Sequence, residues 1–161
     1  MTARVTLDLR KFADVFGAMF GLGKAIESSG LDHKLLYLVD TRVSQINGCG
    51  YCIDMHTKDA RLEGETEQRL YLLSAWREAT IYSPRERAAL AWAEAVTKLE
   101  NGAVPDEVYA QAREQFDEQE LMKLTLAVVG INGWNRFNIA FNNPPGTYKA
   151  GSMSKLAAAQ R

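Results

Sequence analysis

Apolar positions recur at three- and four-residue spacing along most of the chain, and no stretch alternates with the period of two that a half-buried strand needs. The pattern predicts an all-α protein. Leu9, Phe12, Val15, Phe16, Met19, Phe20 and Leu22 predict a first helix from about Asp8 to Ser28, stopped by Gly30. Its internal Gly17, Gly21 and Gly23 either permit close packing or mark a break. Asp32 is suited to cap a second helix through about Gln45, with Leu35, Leu36, Leu38, Val39, Val43 and Ile46 on a broad apolar surface. Asn47-Gly48 breaks that helix and delivers the chain to Cys49. A third helix then runs through His56 toward Leu62 and ends near Gly64.

A fourth helix is expected over Thr66 to Ala79, with Leu70, Leu72, Leu73 and Trp76 facing inward. Ser83-Pro84-Arg85-Glu86 combines an N-cap serine, a proline at the first helical position and a glutamate at the third. It opens a fifth helix through Leu90, Trp92, Val96 and Leu99, closed by Asn101-Gly102. A sixth, short helix opens at Pro105-Asp106-Glu107 and reaches about Phe116, and Asp117 caps a seventh from Glu118 to about Phe141. That last helix is apolar on several faces, which predicts a central helix or one covered by a second copy of the chain. Asn142-Asn143-Pro144-Pro145-Gly146 terminates it, and the tail from about 144 to Arg161 is expected to be mobile or docked on another subunit.

The 161 residues fit a single domain over 1–161, large enough to bury a core without disulfide or metal staples. A formal net charge of −1, with basic and acidic residues interspersed, argues against a nucleic-acid partner. The opening residues lack the apolar run of a signal peptide, and no segment is apolar enough to span a bilayer, so a soluble, cytoplasmic protein is expected. In a reducing compartment a lone CxxC points to catalysis or metal binding rather than to a structural disulfide.

Both cysteines and one of the two histidines fall within Cys49-Gly50-Tyr51-Cys52-Ile53-Asp54-Met55-His56. On a helix Cys52 and His56 share one face, with Cys49 a turn earlier. Three readings compete. The cysteines could be small core hydrophobes beside a hydrogen-bonded histidine. They could bind zinc with His56, though one segment supplies only three ligands and would need His33 or a carboxylate such as Asp54. The third reading, dithiol redox chemistry, suits the spacing best, because an imidazole and a helix N-terminus both favour the reactive thiolate. Geometry divides on the nucleophile: Cys52 pairs with His56, whereas Cys49 holds more of the helix dipole.

The run from Arg42 to Arg61, centred on Cys49-Gly50-Tyr51-Cys52-Ile53-Asp54-Met55-His56, resembles the core of the alkylhydroperoxidase AhpD-like branch of the carboxymuconolactone decarboxylase family. The later Asn132-Gly133-Trp134-Asn135-Arg136-Phe137-Asn138 resembles that branch's final-helix segment. The resemblance implies an all-α bundle of about seven helices, a homo-oligomer, commonly trimer or hexamer, and no metal or organic cofactor. Its chemistry would be peroxide reduction by Cys49 and Cys52, with an external thiol reductant. Cys52 would be the nucleophile, Cys49 the resolving thiol and His56 part of a proton relay.

Two positions depart from that pattern. Tyr51 stands where peroxidase members often carry a histidine. Twelve residues before the first cysteine, where the relay has a glutamate, this chain has Tyr37, whose phenol is a poor base at neutral pH. Asp40, one turn on, could substitute; its other roles would be an exposed charge or a pair with Arg42 or another helix. Activity present but weak is the resulting expectation. A redox-sensing or disulfide-exchange oligomer is the alternative outside peroxidase chemistry. The decarboxylase branch, which does not need the CxxC, fits less well.

Overall fold

The computed structural model describes residues 2–6, 8 and 10–153. Among these residues seven α-helices form the fold: α1 (Ala13–Glu27), α2 (His33–Asn47), α3 (Gly50–Leu62), α4 (Glu67–Leu72), α5 (Pro84–Lys98), α6 (Asp106–Gln115) and α7 (Glu118–Ala140). No strand occurs among the described residues. Helix α2 sits at the centre, packed against α3, α5 and α7, while α1 lies along α7 and α6 along α5. Leu38, Val39 and Val43 of α2 are fully buried. They meet Leu90 and Ala93 of α5, and Leu124 and Val128 of α7, in two adjoining core clusters.

The caps fall where the side chains predict them. Asp32 accepts from the Lys34 amide at 2.9 Å. Ser83 and Glu86 form a reciprocal capping box at the start of α5, and Asp117 and Glu120 form another at the start of α7. Helix α1 starts at Ala13 rather than Asp8, because the Asp8 carboxylate accepts from the Arg10 and Lys11 amides and holds a turn before the helix. The glycines of α1 neither break it nor meet a close neighbour. Close approach occurs across the interface instead: a Cβ at Gly130 of α7 would stand 2.8 Å from Ile26 of α1.

Two expectations are corrected. The fourth helix does not reach Ala79; it ends at Leu72 and tightens into a 3-10 turn over Leu73–Ala75. Trp76 is drawn inward to donate its indole N–H to Glu94 at 2.9 Å, and Arg87 binds the carbonyls of Trp76, Arg77 and Ala79 that a longer helix would have paired itself. The described part of the tail, 144–153, is docked, but on α3 of its own chain. Gly146 donates its amide to Asp54, Gly151 its amide and Tyr148 its hydroxyl to Asp59, and Lys58 donates to the Tyr148 carbonyl. Residues 154–161 of the predicted tail lie outside the described residues.

Candidate active site

The corner between α2 and α3 sets the site. Gly48 closes α2 in the left-handed region (φ 71°), a conformation glycine takes without strain. The Cys49 amide then returns to the Ser44 carbonyl at 3.0 Å. Cys49 is thereby the N-cap of α3, and its sulfur accepts the Cys52 backbone N–H at 3.4 Å. A thiol serves here where serine or aspartate commonly caps. Cys52, one turn into the helix, is completely buried, and both cysteines are free thiols.

The two sulfurs divide one proton unequally. The Cys52 thiol donates to Cys49, which with the Cys52 backbone N–H and Asn135 outweighs burial and brings Cys49 down to about 7. That same donated hydrogen bond, burial and the nearby Cys49 charge push Cys52 up. The resting thiolate therefore belongs to Cys49, in line with the helix-dipole argument; the resemblance reserves the nucleophile's role for Cys52.

Helix α7 supplies amides against this pair. Asn135 accepts from Asn47 at 2.8 Å and donates to Ser44 at 3.0 Å, which ties α7 to α2 beneath the cysteines. Asn138 donates to the Cys52 sulfur at 3.4 Å. Sequence reasoning did not single out these asparagines. Their signal was available: Asn132, Asn135 and Asn138 recur every three residues on a helix otherwise apolar nearly all round.

His56 and Asp40 meet across α2 and α3. Imidazole Nδ1 lies 3.6 Å from the Asp40 carboxylate, and neither ring nitrogen has a hydrogen-bond partner among the described residues. Burial pushes Asp40 up to about 8 and His56 down to about 4, so at neutral pH the pair holds its proton on the carboxyl and leaves a neutral imidazole able to accept another. Arg42 does not take Asp40; it pairs with Glu94 at 2.7 Å. Tyr37 is half-buried, and burial, followed by the charges of Asp59 and Glu63, pushes its phenol up to about 12. It is a donor at neutral pH, not the base the resemblance places there.

Tyr37, Asp40 and His56 line one side of a cavity of about 990 Å³ that Phe16, Phe20 and Trp134 line with aromatic surface. Asn138 also lines it, and so joins the cavity to the Cys52 sulfur. His33, considered above as a fourth zinc ligand, lines the same cavity. Among the described residues no group of three or more His, Cys, Asp and Glu side chains is placed to hold a metal ion. Nor, among them, is any helix long and apolar enough to cross a membrane.

These features define an all-helical protein with a CxxC thiol pair at the N-terminus of its third helix. The sequence profile of the Carboxymuconolactone decarboxylase family matches residues 13–95, and the chain belongs to that family as an AhpD-like member. It is 47% identical over 125 residues to YdfG of Bacillus subtilis, covering 78% of this chain and 85% of that protein. The structure of ATU0492 from Agrobacterium tumefaciens, described as a candidate AhpD antioxidant defence protein, superposes with a TM-score of 0.86 at 37% identity, over 91% of this chain and all of that one. The debrominase Bmp8 shares the fold, with a TM-score of 0.73 at 19% identity over 86% of this chain and 75% of its own. Proteins of this fold thus bear the names of different enzymes.

Proposed function

We propose that this protein reduces hydroperoxides through the Cys49–Cys52 dithiol. The observation that carries the reading is the buried thiol pair itself, in which one sulfur caps a helix, accepts a hydrogen bond from the other and is held as the thiolate near neutral pH. Cys52 is the attacking sulfur in this proposal, because the cavity-lining Asn138 touches it and His56 lies one turn away. Its proton passes along the sulfur–sulfur hydrogen bond to Cys49 or is taken by the neutral His56. Cys52 then forms a bond to the terminal oxygen of the peroxide; the O–O bond breaks, and the alkoxide leaves with a proton as alcohol. Cys49 attacks the resulting sulfenic acid, the S–S bond forms, and the displaced hydroxide leaves as water. An external dithiol returns the pair to the reduced state.

His56 and Asp40 supply the relay in place of the missing glutamate. Because Asp40 holds its proton near neutrality, the relay begins from a neutral pair, which supports the expectation of modest rates. Mass spectrometry after stoichiometric hydroperoxide tests the reading: loss of two hydrogens within the peptide holding both cysteines is expected, and persistent free thiols would overturn it. A dimedone-type probe should label Cys52 in Cys49→Ser; labelling of Cys49 in Cys52→Ser alone would move the attack to Cys49. The exposed Met122, Val129 and Ile139 of α7 support a homo-oligomer, for which light scattering should give a mass above the 17.9 kDa of one chain.

A further inference from the structure

We infer that Asn138 is a catalytic residue whose anchored side-chain amide stabilises the negative charge that Cys52 develops, and that Asn143 is the positioning residue that aims it. The inference rests on the peroxidase reading for the reaction it serves, but its geometry is independent of the substrate.

The orientation of the Asn138 amide follows from its partners. The Trp134 carbonyl, 2.9 Å from Nδ2, can only accept, so the nitrogen must face it. Asn143 donates its own side-chain N–H to Asn138 Oδ1 at 2.7 Å, which fixes the oxygen on the opposite side. Of the two hydrogens on Nδ2, one is taken by Trp134. The other is left to the Cys52 sulfur, 3.4 Å away, at a site with almost no solvent.

Asn143 is itself held. Its backbone N–H donates to the Asn138 carbonyl at 2.9 Å, across a turn in which Asn142 takes a positive φ of 53°. The end of α7 and the start of the strap that residues 143–153 lay over α3 thus grip a single amide from both sides. A neutral donor here has a chemical advantage over a cation. It lowers the energy of the thiolate, and then of the sulfenate, without adding a charge that burial would penalise, and it need not move as the charge grows. The amide transfers no proton at any step, so the balance of the reaction is unchanged. The titratable neighbours of Cys52 are Cys49 and Tyr51 on its own helix, with His56 one turn away facing Asp40 of α2; what α7 brings to the sulfur is amide.

The test uses the full chain carrying Cys49→Ser, so that Cys52 is the only thiol, and reads its ionisation by thiolate absorbance across pH. Asn138→Ala should raise the Cys52 pKa by about one unit and slow sulfenic acid formation about 10- to 100-fold, the range for loss of a donor to a developing anion. Asn138→Asp, nearly isosteric, should raise it further by setting a carboxylate against the sulfur. Asn143→Ala, which leaves the amide in place but unanchored, should shift both readouts in the same direction by a smaller amount. An unchanged Cys52 pKa in Asn138→Ala, with helical circular dichroism intact, would overturn the inference, because a merely structural asparagine would lower the melting temperature alone. Should either Asn138 variant fail to fold, Asn143→Ala decides: an unchanged pKa there removes the anchored amide from the site. The ionisation readout needs no peroxide. Failure of the peroxidase reading would appear instead as no sulfenic acid with hydrogen peroxide or cumene hydroperoxide in the protein with Asn138 intact.

Discussion

Glu94 and Asp40, acids on the neighbouring helices α5 and α2, have opposite fates. Glu94 of α5 accepts from the Trp76 indole at 2.9 Å and Arg42 at 2.7 Å, and is paired with Arg77 as well. Burial alone would raise its carboxyl, but these donors outweigh it and hold Glu94 below the usual range. Asp40 of α2 has no cation beside it among the described residues; its neighbour is an imidazole 3.6 Å away, and burial carries it up to about 8. The difference separates a carboxylate saturated with donors, which ties α2, α5 and the turn after α4 together, from one left poised to exchange a proton. Glu94 lies in the core and Asp40 on the cavity wall, and the count of donors sets which of the two keeps its charge.

The comparison can be broken from either side. The largest effect is expected on the chemical side: Cys52→Ser should abolish peroxide turnover while leaving the melting temperature within a few degrees, and residual turnover would detach the poised region from the reaction. On the structural side, Glu94→Ala should cost about 3 to 5 kcal/mol, since it leaves the Arg42 guanidinium half-buried and unpaired. Urea unfolding measures this, and turnover per folded molecule should be unchanged. His56→Gln should lower turnover about 10²-fold, the low end for loss of a general base, with little change in stability.

A further effect is read along the pH axis, at Asp40. Its folded pKa is raised from 3.8 to about 8, so its contribution to stability is complete below pH 3.8 and is lost as pH rises toward 8. His56, depressed from 6.5 to about 4, works in the other direction: its contribution is complete above 6.5 and is lost as pH falls toward 4. Asp40→Asn should therefore melt above the natural protein at pH 8 to 9 and lose that advantage as the pH falls toward 4. A thermal shift series across pH reads the crossing; a constant difference would show that Asp40 does not titrate in the interior.

Much of the fold was legible because the helix ends carry their own chemistry. Ser83 with Glu86, Asp117 with Glu120, and Gly48 after Asn47 announce boundaries through side chains and backbone freedom that act within four residues. The end of α4 was not legible, since it depends on Glu94 reaching Trp76 from 18 residues away. The same division holds at the site. Cys49, Cys52 and His56 declared themselves by spacing on one helix. Whether Asp40 would face His56 or Arg42 depended on the angle at which α2 meets α3, which no local pattern encodes. Asn138 lay in a segment noticed for its resemblance, but its role required the strap to bring Asn143 back against it.

That strap also sets the order in which the protein becomes complete during synthesis. Gly146, which binds Asp54 beside the cysteines, leaves the ribosome 92 residues after its partner. At ordinary translation speeds of about 5 to 20 residues per second, α3 waits roughly 5 to 20 s for its cover. Pro145, which lies over Gly50 between the two cysteines, arrives on the same schedule. Through that interval both thiols belong to a nascent chain that cannot yet shield them.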